Sequence, residues 1–200
     1  MMFNQTTTQF RSKEEEMFNA WLNELATVLP SEHVRWAYET YTFQLLNPCT
    51  YQEVVKLKTK TKVVERHLYQ GTEYTPDFCV TCYGNLGMAV LQKLFPKACV
   101  QMRGNYHKAY FDVKGTFNPH QKDPRYFSLI QKLTYHVHGI WVEKVIPQHL
   151  FKKSFCPEEY RWMKNRNKPT LTKLGKECKT AKEFIDSIKI PEYLLIRSEK

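Results

Sequence analysis

The stretch YHKAYFDV at residues 106–113, followed by Lys114-Gly115, decides the predicted fold. Its aromatic and apolar residues predict a strand that ends at the Lys-Gly pair. Asp112 interrupts the apolar end of this strand, and Lys114 follows two residues later. Because side chains two residues apart on a strand point to the same face, we expect Asp112 and Lys114 to lie side by side.

A second aspartate precedes another apolar run, at residues 74–83. Asp77 stands there in the sequence YTPDF. A carboxylate at a strand end beside an apolar face is costly unless it is paired or binds a metal. If Asp77 lies next to Asp112, two carboxylates and the Lys114 ammonium converge, which suits a hard cation and a bound water. The alternative is two ordinary aspartates that are satisfied at turns or strand ends.

The rest of the chain supplies helices and strands around these two segments. Ser12 is the predicted N-cap of the first helix, and Glu15 has the capping-box spacing from it. Helices are predicted over residues 12–29, 84–97, 124–138 and 180–188, and strands over 34–46, 54–69, 74–83, 106–113 and 140–146. This order predicts an α+β fold, an α/β sandwich with a mixed central β-sheet flanked by helices.

Composition and charge limit the class of protein. With 200 residues, 42% of them hydrophobic, the chain is expected to fold as a globular domain rather than to be disordered. The N-terminal sequence has no apolar signal-like region and no run of 18 apolar residues follows, so we expect no membrane partner. Six cysteines are too few for a disulfide framework, which favours reduced thiols and a cytoplasmic protein.

The net charge of +10 indicates a polyanionic partner such as nucleic acid. Residues 151–200 carry +6 of this charge. We therefore interpret residues 1–150 as the main domain and residues 151–200 as a basic C-terminal extension packed on or near it.

Two motifs together resemble the PD-(D/E)XK nuclease superfamily: Pro76-Asp77, and Asp112-Val113-Lys114 on a later strand. The upstream helix that starts with Ser12-Lys13-Glu14-Glu15 makes the pattern similar to phage Holliday-junction-resolvase-like proteins and transposon end-cleaving subunits. The resemblance covers roughly residues 10–146. Most members have Glu at the position of Asp112, and the interval of 35 residues from Asp77 to Asp112 suggests an inserted element at residues 84–97.

The resemblance implies a restriction-endonuclease-like core within residues 1–150 and a function. It implies a Mg²⁺-dependent (or Mn²⁺-dependent) endonuclease that hydrolyses DNA, with branched DNA as a candidate substrate, to 5′-phosphate and 3′-hydroxyl ends. Asp77, Asp112 and the Val113 carbonyl would bind the metal, and Glu15 would complete or orient the metal shell. Lys114 would position the attacking water. The capping-box interpretation competes for the Glu15 side chain.

Two alternatives share this fold. One is a catalytically inactive nucleic-acid-binding protein, and the other is a transposition subunit that cuts only in complex with partners. Junction-resolving members act as homodimers, so a dimer is an open expectation here. A phage-encoded protein would act in the host cytoplasm.

Basic and polar residues elsewhere are candidates for contact with nucleic acid. The lysines of segment 54–69 would share one face of a strand, where they either follow a phosphate backbone or protect an exposed edge. Gln131 is the choice for an extra polar residue on the second helix of the superfamily, although a solvated helix face explains it equally well. The candidates are Lys56, Lys58, Lys60, Lys62, Lys122, Arg125, Gln131, Lys132, Arg161, Lys164 and Arg166.

Cys79 and Cys82 form a Cys-x-x-Cys motif, which is found in zinc sites. A second pair of closely spaced ligands is missing from the sequence. On a strand the two side chains would point to opposite faces, so the favoured interpretation is a pair of reduced core thiols.

Overall fold

The computed structural model describes residues 9–29, 34–98, 100–101, 106–115, 124–163 and 168–189, without the side chains of residues 100, 101, 124 and 125. The fold is α+β, with a mixed β-sheet flanked by helices. The elements in chain order are α1 (Lys13–Val28), β1 (Val34–Tyr38), β2 (Phe43–Leu46), β3 (Cys49–Lys56), β4 (Thr61–Tyr69), β5 (Thr72–Tyr74), β6 (Phe78–Tyr83), α2 (Gly84–Leu94), β7 (Val100–Gln101), β8 (Tyr106–Val113), α3 (Pro124–His138), β9 (Val142–Val145), α4 (Pro147–Lys153), α5 (Glu158–Arg161), α6 (Lys173–Glu177) and α7 (Ala181–Asp186). None of the described helices is long and apolar enough to cross a membrane.

Helix α1 begins where its sequence predicts. The Ser12 hydroxyl accepts a hydrogen bond from the Glu15 N–H at 3.2 Å, which satisfies one of the otherwise unpaired donors of the first turn. The apolar face of α1 packs on the sheet, where the ring centroid of Phe18 lies 5.0 Å from that of Phe78 and 5.4 Å from that of Phe111. The predicted helix over residues 12–29 is confirmed.

Strand β8 is the centre of the main sheet. It pairs antiparallel with β6, which in turn pairs antiparallel with β1, and it also pairs with β7 and, in parallel, with β9. The predicted strand over residues 106–113 is confirmed residue for residue. The predicted helix over residues 124–138 is confirmed as α3, and it ends at Gly139, whose φ of +67° suits a glycine after a helix C-terminus.

Different elements pack on the two faces of the main sheet. Helices α1, α2, α4 and α7 contribute to the large apolar core on one face, whereas α3 and the small sheet of β2 and β5 cover the other. Residues after 150 belong to the same large core: the Trp21 ring stacks on Phe155 with centroids 5.4 Å apart, and the Trp21 indole N–H donates to the Ser154 hydroxyl at 3.0 Å. Cys79 and Cys82 are buried in separate apolar clusters on opposite faces of β6, as strand geometry predicts.

The prediction of one strand over residues 34–46 is wrong. The chain leaves the main sheet at Glu39, which has a left-handed φ of +47°, and its next strand, β2, pairs with β5 instead. The Glu39 N–H donates to the Asp77 carbonyl at 2.9 Å, so a tertiary contact stabilises a backbone turn that no glycine marks. The predicted strand over residues 74–83 is likewise divided around Pro76, into β5 of the small sheet and β6 of the main sheet.

The prediction of one strand over residues 54–69 is also wrong. The chain reverses between Lys56 and Thr61, where the Leu57 N–H donates to the Lys60 carbonyl at 2.8 Å. The result is a hairpin of β3 and β4. Lys62 pairs with Val55, the neighbour of Lys56, so Lys56 and Lys62 lie on opposite faces and the expected one-faced row of lysines does not form.

Candidate active site

Asp77 lies in a bend directly before β6, beside the end of the neighbouring strand β8. Its Oδ2 atom accepts a hydrogen bond from the Val113 N–H at 2.6 Å, which holds the carboxylate against β8. Burial, followed by the charge of the nearby Asp112, raises the pKa of Asp77 to about 7, although the Val113 N–H and Lys114 act in the opposite direction. The two aspartates are therefore close enough to repel one another.

Asp112 is buried at the end of β8, with 5% of its surface exposed. Its Oδ2 atom accepts a hydrogen bond from the Tyr74 hydroxyl at 2.9 Å, and its Oδ1 atom forms an ion pair with Lys114 Nζ. Among the described residues, Oδ1 has no hydrogen bond of ordinary geometry. The ion pair with Lys114 is thus the main interaction that offsets the burial of Asp112 Oδ1.

The Lys114 side chain is about half exposed and extends along the same face as Asp112. Burial lowers the pKa of this amine, but the carboxylate of Asp112, with further contributions from Asp77 and Glu15, outweighs burial and raises the pKa overall. The side chain is therefore an ammonium at neutral pH.

Glu15 is buried in the first turn of α1 and is fully engaged there. Its Oε1 atom accepts from the Ser12 hydroxyl at 2.9 Å, and its Oε2 atom accepts from the Arg11 N–H at 2.9 Å and from the Tyr38 hydroxyl at 2.5 Å. These bonds agree with a helix-capping role, although the Glu15 carboxylate accepts from the Arg11 N–H, one residue before the Ser12 N–H that a capping box uses. The charge of Glu15 nevertheless contributes to the raised pKa of Lys114, so Glu15 lies near that side chain.

The approach of α1 to the end of β8 is close. A Cβ atom at Gly115 would lie 3.2 Å from Glu14 Oε1, so a side chain there would press on the first turn of α1. Within the described part of the chain, no group of three or more Asp, Glu, His or Cys side chains is arranged to hold a metal ion. The compact part of the site is consequently the pair Asp77 and Asp112 with Lys114, and Glu15 stands beside it.

Sequence reasoning missed two tyrosines and a lysine at this site. Tyr74 ends β5 and donates to Asp112, while Tyr38 ends β1 and donates to Glu15. The pKa of each phenol is raised. Burial is the main cause, and the adjacent carboxylate is a further cause. Lys144 is the register partner of Asp112 on the parallel strand β9. Of these three residues, only Tyr74 could have been inferred from the sequence, because it lies three residues before Asp77.

The other predicted nucleic-acid residues fall into three groups. The Gln131 amide donates to the Val142 carbonyl at 2.6 Å and so ties α3 to β9, whereas Lys132 is exposed. The Arg161 guanidinium is largely buried and donates to the carbonyls of Cys178 and Lys179, both at 3.1 Å, so it stabilises the C-terminal segment. Outside the described residues lie Lys122, Lys164, Arg166 and the side chain of Arg125.

Comparisons of this chain with protein-family models, with curated proteins and with solved structures found no match.

Proposed function

We propose that this protein is a metal-dependent endonuclease of the PD-(D/E)XK type that hydrolyses DNA to 5′-phosphate and 3′-hydroxyl ends. The observation that carries the proposal is the side-by-side placement of Asp77 and Asp112 at the ends of two adjacent strands, with Lys114 paired to Asp112. Two carboxylates and one ammonium, placed together at the ends of neighbouring strands, are the functional groups that this type of hydrolysis requires.

The donor set fits a divalent cation. The charge of Asp112 adds to the cost of a buried negative charge on Asp77, and Asp112 Oδ1 is compensated by its ion pair with Lys114. Mg²⁺ and Mn²⁺ prefer such hard oxygen ligands, so Asp77, Asp112 and the Val113 carbonyl would hold the ion. When bound, the metal supplies charge stabilisation for the phosphoryl oxygens and the leaving 3′ oxygen.

Lys114 then acts as a positioning and charge-stabilising group. Because its pKa is raised, the side chain is protonated and can donate hydrogen bonds to a water or to a phosphate oxygen. Its flexible and half-exposed side chain can reach the space in front of Asp112 from the same face of β8. A neutral amine that removes a proton from water is disfavoured in this electrostatic environment.

Glu15 and the two tyrosines orient the acidic groups. Tyr38 and the backbone of Arg11 fix the Glu15 carboxylate, and Tyr74 fixes Asp112. Such partners limit the rotation of a ligand side chain and so preorganise the site. We assign Glu15 an orienting role, through its charge near Lys114.

The topology supports a restriction-endonuclease-like core. Helix α1 is followed by three antiparallel strands of the main sheet, β1, β6 and β8, and then by helix α3 and the parallel strand β9. The two aspartates lie at corresponding ends of the two central strands of this set, at the border between the main sheet and the cover formed by β5 and α3.

The test is a substrate panel with purified protein. Supercoiled plasmid, linear duplex DNA, a four-way DNA junction and a duplex RNA of matched sequence are incubated with Mg²⁺, Mn²⁺ or EDTA. The proposal expects cutting of DNA with either metal and none in EDTA, with products that DNA ligase can rejoin. Asp77→Ala is expected to abolish cutting, and Asp186→Ala, an exposed aspartate on α7, serves as the matched control. Binding of DNA without cutting under all conditions would instead favour the inactive or partner-dependent alternatives.

A further inference from the structure

The hairpin of β3 and β4 projects from the rest of the described chain. Its two strands pair only with one another among the described strands. From Thr50 to Tyr69, every residue except Val55 and Val64 is exposed, so both faces of the ribbon meet solvent. With eight or nine residues per strand at about 3.4 Å per residue, this arm extends roughly 27–30 Å.

The tip of the arm carries concentrated positive charge. Four lysines lie within the seven residues from Lys56 to Lys62, and no acidic residue interrupts them. Among the described residues, no carboxylate forms an ion pair with these lysines. The acidic residues of the arm lie nearer its base, where Glu53 pairs with Arg66 at 2.8 Å and Glu65 accepts from the Thr50 hydroxyl at 2.7 Å. The tip is therefore an uncompensated cluster of ammonium groups.

The arm also exposes apolar side chains to solvent. Val54 and Val63 are cross-strand partners on one face and remain 61% and 56% exposed, and Leu57 at the turn is 49% exposed. A two-stranded hairpin without further support is at best marginally stable in water. Its combination of exposed valines and unpaired lysines is that of a surface used to bind a partner.

We propose that this arm inserts into a groove of duplex DNA as a two-stranded ribbon. The major groove of B-DNA is wide enough for a two-stranded β-ribbon, and its walls are lined by phosphates. Lys56 and Lys62 lie on opposite faces of the arm, so they can reach the two phosphate backbones on either side of the groove. The Val54–Val63 pair lies on the same face as Lys56 and packs beside that lysine against the same wall of the groove. Contact between the tips of two copies of the chain is disfavoured because like charges meet.

The inference rests on the proposed function only in taking DNA as the ligand. Binding is therefore measured in EDTA, where no cutting is expected, with a fluorescein-labelled 30-base-pair duplex and with a single strand of the same length, at several KCl concentrations. The tip variant carries Lys56→Gln, Lys58→Gln, Lys60→Gln and Lys62→Gln. The control variant loses the same charge at exposed lysines elsewhere and carries Lys153→Gln, Lys176→Gln, Lys179→Gln and Lys182→Gln.

The tip variant is expected to bind the duplex at least tenfold more weakly than the control variant. The slope of log affinity against log salt should fall by about 0.9 for each lost phosphate contact, which gives a decrease of roughly 2–4 for the tip variant. The substituted positions are exposed, so far-ultraviolet circular dichroism should show the same fold for all three proteins. Preference of the parent for duplex over single strand is also expected.

Equal losses in the tip and control variants would overturn the proposal, because net charge alone would then explain binding. A parent that fails to bind duplex DNA, or a dimer that dissociates only in the tip variant, would overturn it as well. A parent that binds duplex through the arm but cuts nothing with Mg²⁺ would leave the arm proposal standing and contradict the nuclease proposal.

Discussion

Asp77 and Val113 are joined by a 2.6 Å hydrogen bond from the Val113 N–H to the Asp77 carboxylate, across the end of two adjacent strands. The bond places an acidic side chain beside the peptide that follows Asp112, and it does so with a backbone donor that no substitution of Val113 other than proline removes. The Asp77 carboxylate is thus held to the backbone of β8 next to Asp112.

The first prediction concerns Asp77 and pH. Burial and Asp112 raise the pKa of Asp77 to about 7, whereas an aspartate in the unfolded chain titrates near ~4. Between these values the folded protein binds the proton more tightly, so the free energy of unfolding should fall as the pH rises from ~4 to ~7. Asp77→Asn keeps an oxygen for the Val113 N–H and removes the charge. It should flatten this dependence and be more stable than the parent at pH 8.

Urea denaturation in EDTA at pH 5, 6.5 and 8 measures this difference. Mg²⁺ added at pH 8 should stabilise the parent and leave Asp77→Asn unchanged. Parallel stability profiles for the two proteins would show that Asp77 carries no unfavourable charge in the folded state.

The second prediction concerns Tyr74. Tyr74→Phe removes the hydroxyl that donates to Asp112 at 2.9 Å and leaves the ring in place. Loss of a hydrogen bond to a charged group should cost about 1.5–3 kcal/mol of stability, and freedom of the Asp112 carboxylate should reduce the rate of DNA cutting about tenfold or more. Tyr126→Phe, on the exposed side of α3, is the control and should change neither quantity. A Tyr74→Phe protein with parental activity would remove this residue from the site.

The third prediction separates chemistry from binding at Lys114. Lys114→Ala removes the ammonium that faces Asp112 and should reduce DNA cutting by about 10²–10⁴-fold. Affinity for DNA in EDTA should change by less than about threefold, because one surface charge contributes little to a basic protein. Lys176→Ala, an exposed lysine on α6, tests for a general effect of charge. Equal effects of both substitutions on cutting would contradict the role of Lys114.

The fourth prediction separates the capping and orienting roles of Glu15. Ser12→Ala removes the N-cap hydroxyl and should cost about 0.5–2 kcal/mol of stability while cutting persists. Glu15→Gln keeps a side chain of the same shape and removes the charge near Lys114 and Tyr38. It should reduce cutting more than Ser12→Ala does at equal or smaller cost in stability. If both variants lose activity in proportion to their loss of stability, the role of Glu15 is helix capping alone.

The main sheet and its helices could be predicted because their signals are local. Strand β8 has a continuous run of aromatic and apolar residues, and helices α1 and α3 have periodic apolar positions with an N-cap at Ser12 and a terminating Gly139. The pairing of Asp112 with Lys114 followed from the two-residue period of a strand.

The turns and the residues that support the site could not be predicted, because they depend on contacts between residues far apart in the sequence. The hairpin turn at Leu57–Lys60 contains no Gly, Asn or Pro, and the alternating lysines imitate a continuous strand. The left-handed turn at Glu39 is stabilised by Asp77, far away in sequence. Contacts such as that from Tyr74 to Asp112 exist only after the small sheet packs on the main one. Tertiary packing, rather than local preference, determines these features.

Nicking of a supercoiled plasmid is the direct test of metal-dependent DNA cutting by Asp77 and Asp112. The parent, Asp77→Asn and Asp112→Asn proteins are incubated side by side with Mg²⁺ or EDTA, after denaturation profiles have verified that each protein is folded. We predict open-circular or linear DNA only for the parent with Mg²⁺, and no product above background for either variant. Cutting by the parent in EDTA, or equal cutting by the parent and the two aspartate variants, would contradict a metal-dependent nuclease site at Asp77 and Asp112.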